Sequence, residues 1–200
     1  MSRIILASAS PRRRELLTQI GLKFDIMPSH IEEVLRGESP AENVMGLAAD
    51  KAGDIYEQLK ASGEGDALVI GADTVVALED KVLGKPKDET DALQMLRFLQ
   101  GQTHQVYTGV CIMTEGKTMT FYGKTDVTMY LADDEQIMDY IRSGEPMDKA
   151  GSYAIQGLGT IFVKEIHGDY NNVVGLPVAE VWQHLNSDAV TRRIAKENKE

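Results

Sequence analysis

The sequence predicts an α/β protein built on a mixed β-sheet flanked by helices. Short β-branched runs alternate with helix-length segments bounded by caps and glycines, and a meander of strand-like segments fills the middle. The 200 residues, 42% of them hydrophobic, suit one α/β domain or two lobes sharing one sheet.

Taken in order, Arg3 to Ala7 reads as a short buried strand, broken by Ser8 to Pro11. A helix is expected from Arg12 to Ile20, closed by Gly21, and a second strand over Lys23 to Met27. Ser39 then caps a long helix, with Pro40 at its first position and Glu42 placed for a capping box. That helix runs to about Lys60. Ala67 to Leu78 is a β-branched run around one Asp, and Lys81 to Leu83 can return as a hairpin. Asp88 caps a helix through Leu99. His104 to Met113 and Lys117 to Leu131 form two strands joined at Glu115-Gly116. Asp133 caps a helix to Ser143. Ala150 to Gly159 reads as loop, Thr160 to Ile166 as a strand and Pro177 to Leu185 as the last helix. The polar stretch after Asp188 is expected to fray.

Charge narrows the function classes. A net charge of −10 disfavours broad binding to nucleic acid or anionic membrane, and no apolar run is long enough to span a bilayer. A secretory leader places basic residues before its apolar stretch; MSRIILASASPRRR has the reverse order. The single cysteine, Cys111, lies in an apolar run and reads as core. A cytoplasmic location is expected. His30, His104, His167 and His184 lack metal-ligand spacing, and neither a Walker loop nor a dinucleotide fingerprint is present.

Several segments could carry chemistry. Ser8 to Arg14 spans a strand end and a helix start, where free N–H groups, hydroxyls and guanidinium forks suit phosphate. A plain Ser cap would leave basic residues opposing the helix dipole. Asp73, in Gly71-Ala72-Asp73-Thr74, is an acid within an apolar strand, which is costly unless it is paired, metal-bound or placed in a cleft. It could hold a divalent cation, take a proton from water, or bond a neighbouring loop. Lys51 falls midway along the helical stripe of Val44, Leu47, Ala48, Ile55 and Leu59. It either snorkels or reaches a buried anion. Lys85 precedes Pro86, which holds it extended, as suits a phosphate ligand or an ordinary loop. Glu145 to Gly157 mixes acid, base, amide and aromatic groups, and little of it is expected to be buried. There Gln156 could read a base edge, and Tyr153 could pack on a base or on protein. Gly168 to Pro177 closes the site or merely turns the chain.

The segments SASPRR (8–13), GADTVV (71–76), GKP (84–86), TGV (108–110), EPMDKAGSYAIQG (145–157) and GDYNNVVGLP (168–177) occur in this order. Together they resemble the Maf family of nucleotide pyrophosphatases along nearly the whole chain. The resemblance implies an elongated fold related to inosine-triphosphate pyrophosphatases and Ham1 proteins. It implies one domain over residues 1–188 with two lobes around a cleft, a polar tail over 189–200, and a homodimer. It also implies metal-dependent hydrolysis at the α-phosphorus with Mg²⁺ or Mn²⁺. By motif, Asp73 is the proton acceptor, and Arg12, Thr74 and Gln156 set substrate choice. Ser8, Arg13, Lys51 and Lys85 are phosphate or other active-site contacts, and Lys149 joins the cation cluster for the triphosphate. Glu33 helps bind metal or water, with Asp73 as the second carboxylate at the metal.

Asp148-Lys149-Ala150, Tyr153 and Ile155-Gln156-Gly157 are similar to the subgroup that acts on dTTP and UTP. Another subgroup, acting on 7-methyl-GTP, has Cys in place of this Lys and lacks the Gln. Ala49 departs from the family's common Arg. The expected partner is therefore a pyrimidine nucleoside triphosphate, with modified pyrimidines and a part in septum control as further expectations. The rivals are a purine-editing pyrophosphatase, a nucleotidyltransferase and a nonenzymatic regulator.

Overall fold

Local signals in the chain set most of the elements. The structure, a computed structural model, describes residues 2–199. Its elements are β1 (Ile4–Leu6), α1 (Pro11–Gln19), β2 (Asp25–Ile26), α2 (Pro40–Ala61), β3 (Leu68–Leu78), β4 (Lys81–Leu83) and α3 (Glu89–Leu99). They continue with β5 (Thr103–Thr114), β6 (Lys117–Met129), α4 (Asp134–Arg142), three 3-10 turns, β7 (Val163–His167), α5 (Tyr170–Val174), α6 (Val178–Ser187) and α7 (Ala189–Glu197). The expected caps are present. Ser39 and Glu42 satisfy each other's backbone N–H groups, as do Asp133 and Gln136, and Asp88 accepts from Asp91 N.

The mixed α/β architecture is as expected. Among the described residues, seven strands form one sheet in the order β2-β1-β3-β5-β6-β7, with β4 added to β3. Strand β1 runs parallel to both β2 and β3, whereas the β3/β4 and β6/β7 pairs are antiparallel. The chain divides into two compact units. The first is Met1–Asp73, Thr108–Gly123 and Gly175–Glu200; the second is Thr74–Tyr107 and Lys124–Val174.

In the first unit, α2 buries Val44, Leu47, Ala48, Ile55 and Leu59, the stripe its spacing predicts, and Ala52 beside them. Ala48, Ala52, Ile55 and Leu59 join Ile5, Ala7, Ala67, Val69 and Cys111 in one core cluster. Two glycines allow the helix to come this close. A Cβ at Gly71 would fall inside 3.0 Å of Ala48 O and Ala52 N. One at Gly109 would fall inside 3.0 Å of the Val44 carbonyl and Met45 N. Both obstacles are helix backbone, which cannot rotate aside.

The end of the chain departs from expectation. Residues beyond Asp188 form helix α7, whose Thr191, Ile194 and Ala195 are buried. Asp188 caps it by accepting from Val190 and Thr191 N. Asn198 then donates to Ser2 O at 2.8 Å and accepts from Lys23 N at 2.7 Å. The polar composition hid a helical spacing of buried positions.

The second unit has its own core, which includes Val76, Leu96, Leu99, Val127, Ile137, Ile141, Tyr153 and Phe162. The segment from Glu145 to Gly159 is not the shallow loop that its composition suggests. It winds through short 3-10 turns and buries Pro146, Gly151, Ser152, Tyr153 and Ile155. The third turn, Gly157–Phe162, delays the next strand to Val163. Helix α5 also went unforeseen within the Gly168 to Pro177 motif. His104 is fully buried, and its Nε2 lies 2.7 Å from the Tyr153 hydroxyl. Tyr153 therefore packs on protein.

Two expectations follow. Gly109→Ala should cost about 1–3 kcal/mol or more through overpacking, read as a lower urea midpoint at unchanged m-value. Burial lowers the His104 imidazole from 6.5 to about 4, Asp126 offsetting part of that shift. Below pH 6.5 the unfolded chain binds a proton that the folded one refuses, so stability falls between about 6.5 and about 4. The loss is on the order of 3 kcal/mol. Denaturation of His104→Gln across that pH range should show a shallower slope than the parent protein.

Candidate active site

The turn after β1 builds the first part of the site. Ser8 is buried at the strand end, and its Oγ accepts from Ser10 N at 3.3 Å. Ser10 caps α1 by accepting from Arg13 N, with Pro11 at the first helical position. This start aims Arg13 back into the unit. Its Nη1 donates to Ser8 Oγ at 3.1 Å and to Ala72 O at 2.9 Å. Its Nε donates to Gly175 O at 2.8 Å. Burial lowers the Arg13 pKa from its ordinary value; Asp73 and Glu33 raise it and neighbouring Arg12 lowers it, leaving it lowered overall. A guanidinium remains charged regardless.

The Lys51 ammonium sits between two carboxylates. It lies 2.6 Å from Asp73 Oδ1 and 2.7 Å from Glu33 Oε1. The Lys51 and Asp73 side chains are only 11% and 10% exposed, so the pair is shielded from water, whereas Glu33 is half exposed at 51%. Lys51 thus reaches a buried anion and does not snorkel. The stripe that aims α2 at the sheet also aims this lysine at β3, where the apolar run brings Asp73. With Arg13 nearby, two cations face two anions and the cluster is close to neutral.

Asp73 and Glu33 supply two hard oxygen donors converging on one cationic position. Among the described residues there is no group of three or more His, Cys, Asp or Glu side chains able to hold a metal. This donor set fits Mg²⁺ or Mn²⁺ carried with substrate phosphates, which is bound by one or two carboxylates. It does not fit an all-protein metal cage.

In the second unit, Thr74 continues β3 directly after Asp73 and is half-buried. Lys85 is exposed on the loop after β4, beside buried Pro86. Gly151 N donates to Gly84 O at 3.0 Å, tying that loop to the segment carrying Lys149 and Gln156. Lys149 donates to Glu145 O at 3.1 Å and pairs with Asp148. Gln156 is half-buried in extended conformation between buried Ile155 and exposed Gly157. Among the described residues its amide makes no hydrogen bond to protein. The structure therefore gathers Ser8, Arg13, Glu33, Lys51 and Asp73 in the first unit, with Arg12 next to Arg13. Thr74, Lys85, Lys149 and Gln156 belong to the second.

The Maf-like protein family matches residues 3–188. The chain belongs to the Maf family. A dTTP/UTP pyrophosphatase of Agathobacter rectalis is 54% identical over 198 residues, covering 92% of this chain and 97% of that protein. One from Bacillus pumilus is 51% identical over 192 residues, covering 96% and 99%. The solved structure of the Staphylococcus aureus Ham1 protein covers 64% of this chain and 72% of its own, at 16% identity and TM-score 0.39. The fold assignment rests on the sheet order, not on that likeness. No helix among the described residues is long and apolar enough to cross a membrane.

Several Maf-motif residues act differently from what their side chains suggest. Asn172, buried in α5, donates to Val106 O and Thr125 Oγ1, both at 3.0 Å, and so ties the last motif to β5 and β6. Gly175 contributes a carbonyl to Arg13, which no side-chain pattern signals. Glu145 lies in a segment that the sequence marks, but the sequence gives it no role of its own. Burial raises its pKa, but the Leu158 and Gly159 N–H groups, Tyr140 and Lys149 together hold it below the usual carboxylate value.

The Lys51–Asp73 pair yields a stability test. Lys51→Met strands a buried carboxylate and should cost about 3–5 kcal/mol, the scale for breaking a buried pair from one side. Adding Asp73→Asn should recover much of that loss, since no charge is then left alone. Urea denaturation of both single variants and the double variant reads the coupling.

Proposed function

We propose that this protein hydrolyses dTTP and UTP to the nucleoside monophosphate and pyrophosphate. The observation that carries the reading is the shielded Lys51–Asp73 pair, joined by half-exposed Glu33 and beside Arg13, in a chain of the Maf family. The high identity to two dTTP/UTP pyrophosphatases, spanning nearly the full length of each, supports the substrate assignment.

Asp73 accepts a proton from water as the water oxygen attacks the α-phosphorus. The bond from that phosphorus to the bridging oxygen breaks, and pyrophosphate leaves with the electron pair. Lys51 holds Asp73 in place by their 2.6 Å contact before substrate arrives, and then shares the incoming negative charge. Ser8 and Arg13 form a pre-ordered phosphate-facing corner, assisted by Arg12, while Lys85 and Lys149 bind phosphate oxygens. A divalent cation, bound with substrate at Asp73 and Glu33, would neutralise charge on the phosphates. Because the protein cluster is already close to neutral, added cationic charge answers the substrate's own charge and the −10 of the chain. Most of the rate comes from positioning and electrostatics.

Thr74 and Gln156 choose the base. Uracil and thymine present an N3–H donor flanked by two acceptors, and a primary amide offers one acceptor and two donors. Cytosine has an unprotonated N3 and an amino group, so the same amide mismatches it. A methyl group discriminates only weakly, so thymine, uracil and C5-modified pyrimidines are all accepted. The protein acts in the cytoplasm as a homodimer, without nucleic acid or membrane. Any influence on septum formation is separable from catalysis by the variant described next.

Asp73→Asn should lower turnover by about 10²-fold or more, the usual general-base contribution, while the protein stays folded. Release of pyrophosphate from dTTP and UTP, but poorly from CTP and purine triphosphates, is the expected substrate screen. Gln156→Ala should erode the UTP-over-CTP preference more than it slows UTP hydrolysis. A parent enzyme that favours CTP or a purine would refute the reading.

A further inference from the structure

The segment carrying Gln156 is closed upon itself by one carboxylate. Glu145 stands at its start, and Leu158 and Gly159 stand at its end. Glu145 Oε2 accepts from Leu158 N at 3.0 Å, and Oε1 accepts from Gly159 N at 3.0 Å. The Tyr140 hydroxyl donates to the same Oε1 at 3.0 Å and accepts from Ala154 N at 3.3 Å. Two residues of α4 and the turn after it thus hold three backbone N–H groups on either side of Gln156.

The surroundings are shaped for this carboxylate. Gly157 has φ +69, and a Cβ there would lie 2.5 Å from Glu145 Oε2. A Cβ on Gly159 would lie 2.7 Å from the Tyr140 hydroxyl and 2.6 Å from Ala154 O. Any side chain at either glycine would push the clamp apart. Gly157 directly follows Gln156, so the carboxylate rests against the peptide that sets the direction of the Gln156 side chain. The Gln156 amide itself makes no hydrogen bond to protein among the described residues. Its aim therefore depends on its backbone, and its backbone depends on the clamp.

We propose that Glu145, acting with Tyr140, is a positioning residue that fixes Gln156 for base selection. This rests on the reading that Gln156 selects the base. Glu145 touches neither base nor phosphate; it acts through the peptide it holds. Replacing the carboxylate by an amide turns one acceptor into a donor that faces an N–H, so one end of the clamp opens.

The test combines kinetics with hydrogen exchange on Glu145→Gln, Tyr140→Phe and Gln156→Ala. In Glu145→Gln, the Leu158 and Gly159 amides should exchange about 10-fold faster or more. The UTP-over-CTP ratio of kcat/KM should fall about 10-fold or more, the scale of a small misplacement, with turnover of UTP reduced much less. Tyr140→Phe should move both readouts in the same direction by less, and it serves if Glu145→Gln fails to fold. Faster exchange with an unchanged ratio, while Gln156→Ala still lowers that ratio, overturns the positioning role and leaves the base reading intact. An unchanged ratio in Gln156→Ala overturns both. A drop in melting temperature with exchange at both amides unaltered also overturns the proposal, because the clamp would then not be what holds the segment.

Discussion

The site depends on how closely helix α2 approaches strands β3 and β5. Gly71 and Gly109 leave no side chain between helix backbone and sheet. That approach carries Lys51 to within 2.6 Å of Asp73. A charged pair with so little exposure contributes little net stability compared with apolar residues of similar volume. The protein instead gains a carboxylate held in a shielded place and an ammonium whose position is set by helix α2. The two glycines therefore serve chemistry as much as packing.

Much of this was legible in the sequence. Capping residues marked the starts of α2, α3 and α4, and helical spacing along α2 identified both its buried face and the lysine within it. Asp73 stood out because an acid in a β-branched run needs a reason. What stayed hidden depended on pairing across long sequence distances. Lys51 as read from its spacing could have faced either solvent or an anion. Only the sheet order, which places β3 between β1 and β5, supplies the acid. The final helix was masked because its buried positions include a threonine and an alanine, which carry weak hydrophobic signal. The 3-10 turns after Glu145 were masked because their order comes from hydrogen bonds and glycine geometry, with no hydrophobic period to read.

The second unit shows what such order requires. His104 and Tyr153 are both buried and face each other. Gly151 and Ser152 both adopt left-handed backbone, and serine rarely does so without surrounding structure to hold it. Val76 lies against Gly151, and Gly151 N bonds Gly84 O, so the turn is fixed from two sides. Composition describes this segment as a Gly-rich loop that buries little. Its hydrogen bonds fix the backbone on both sides of Gln156, whose amide makes no hydrogen bond to protein among the described residues.

Arg13 has a different kind of consequence. Its acceptors lie at Ser8, Ala72 and Gly175, the last separated from it by 162 positions. During synthesis the helix bearing Arg13 is made long before the last of these carbonyls exists. The corner that the guanidinium organises is therefore a late event in folding, because loop closure over that distance must precede it. A nascent chain that has not reached Gly175 carries every acidic and basic group of the Lys51 cluster, yet lacks the carbonyl that completes the Arg13 corner.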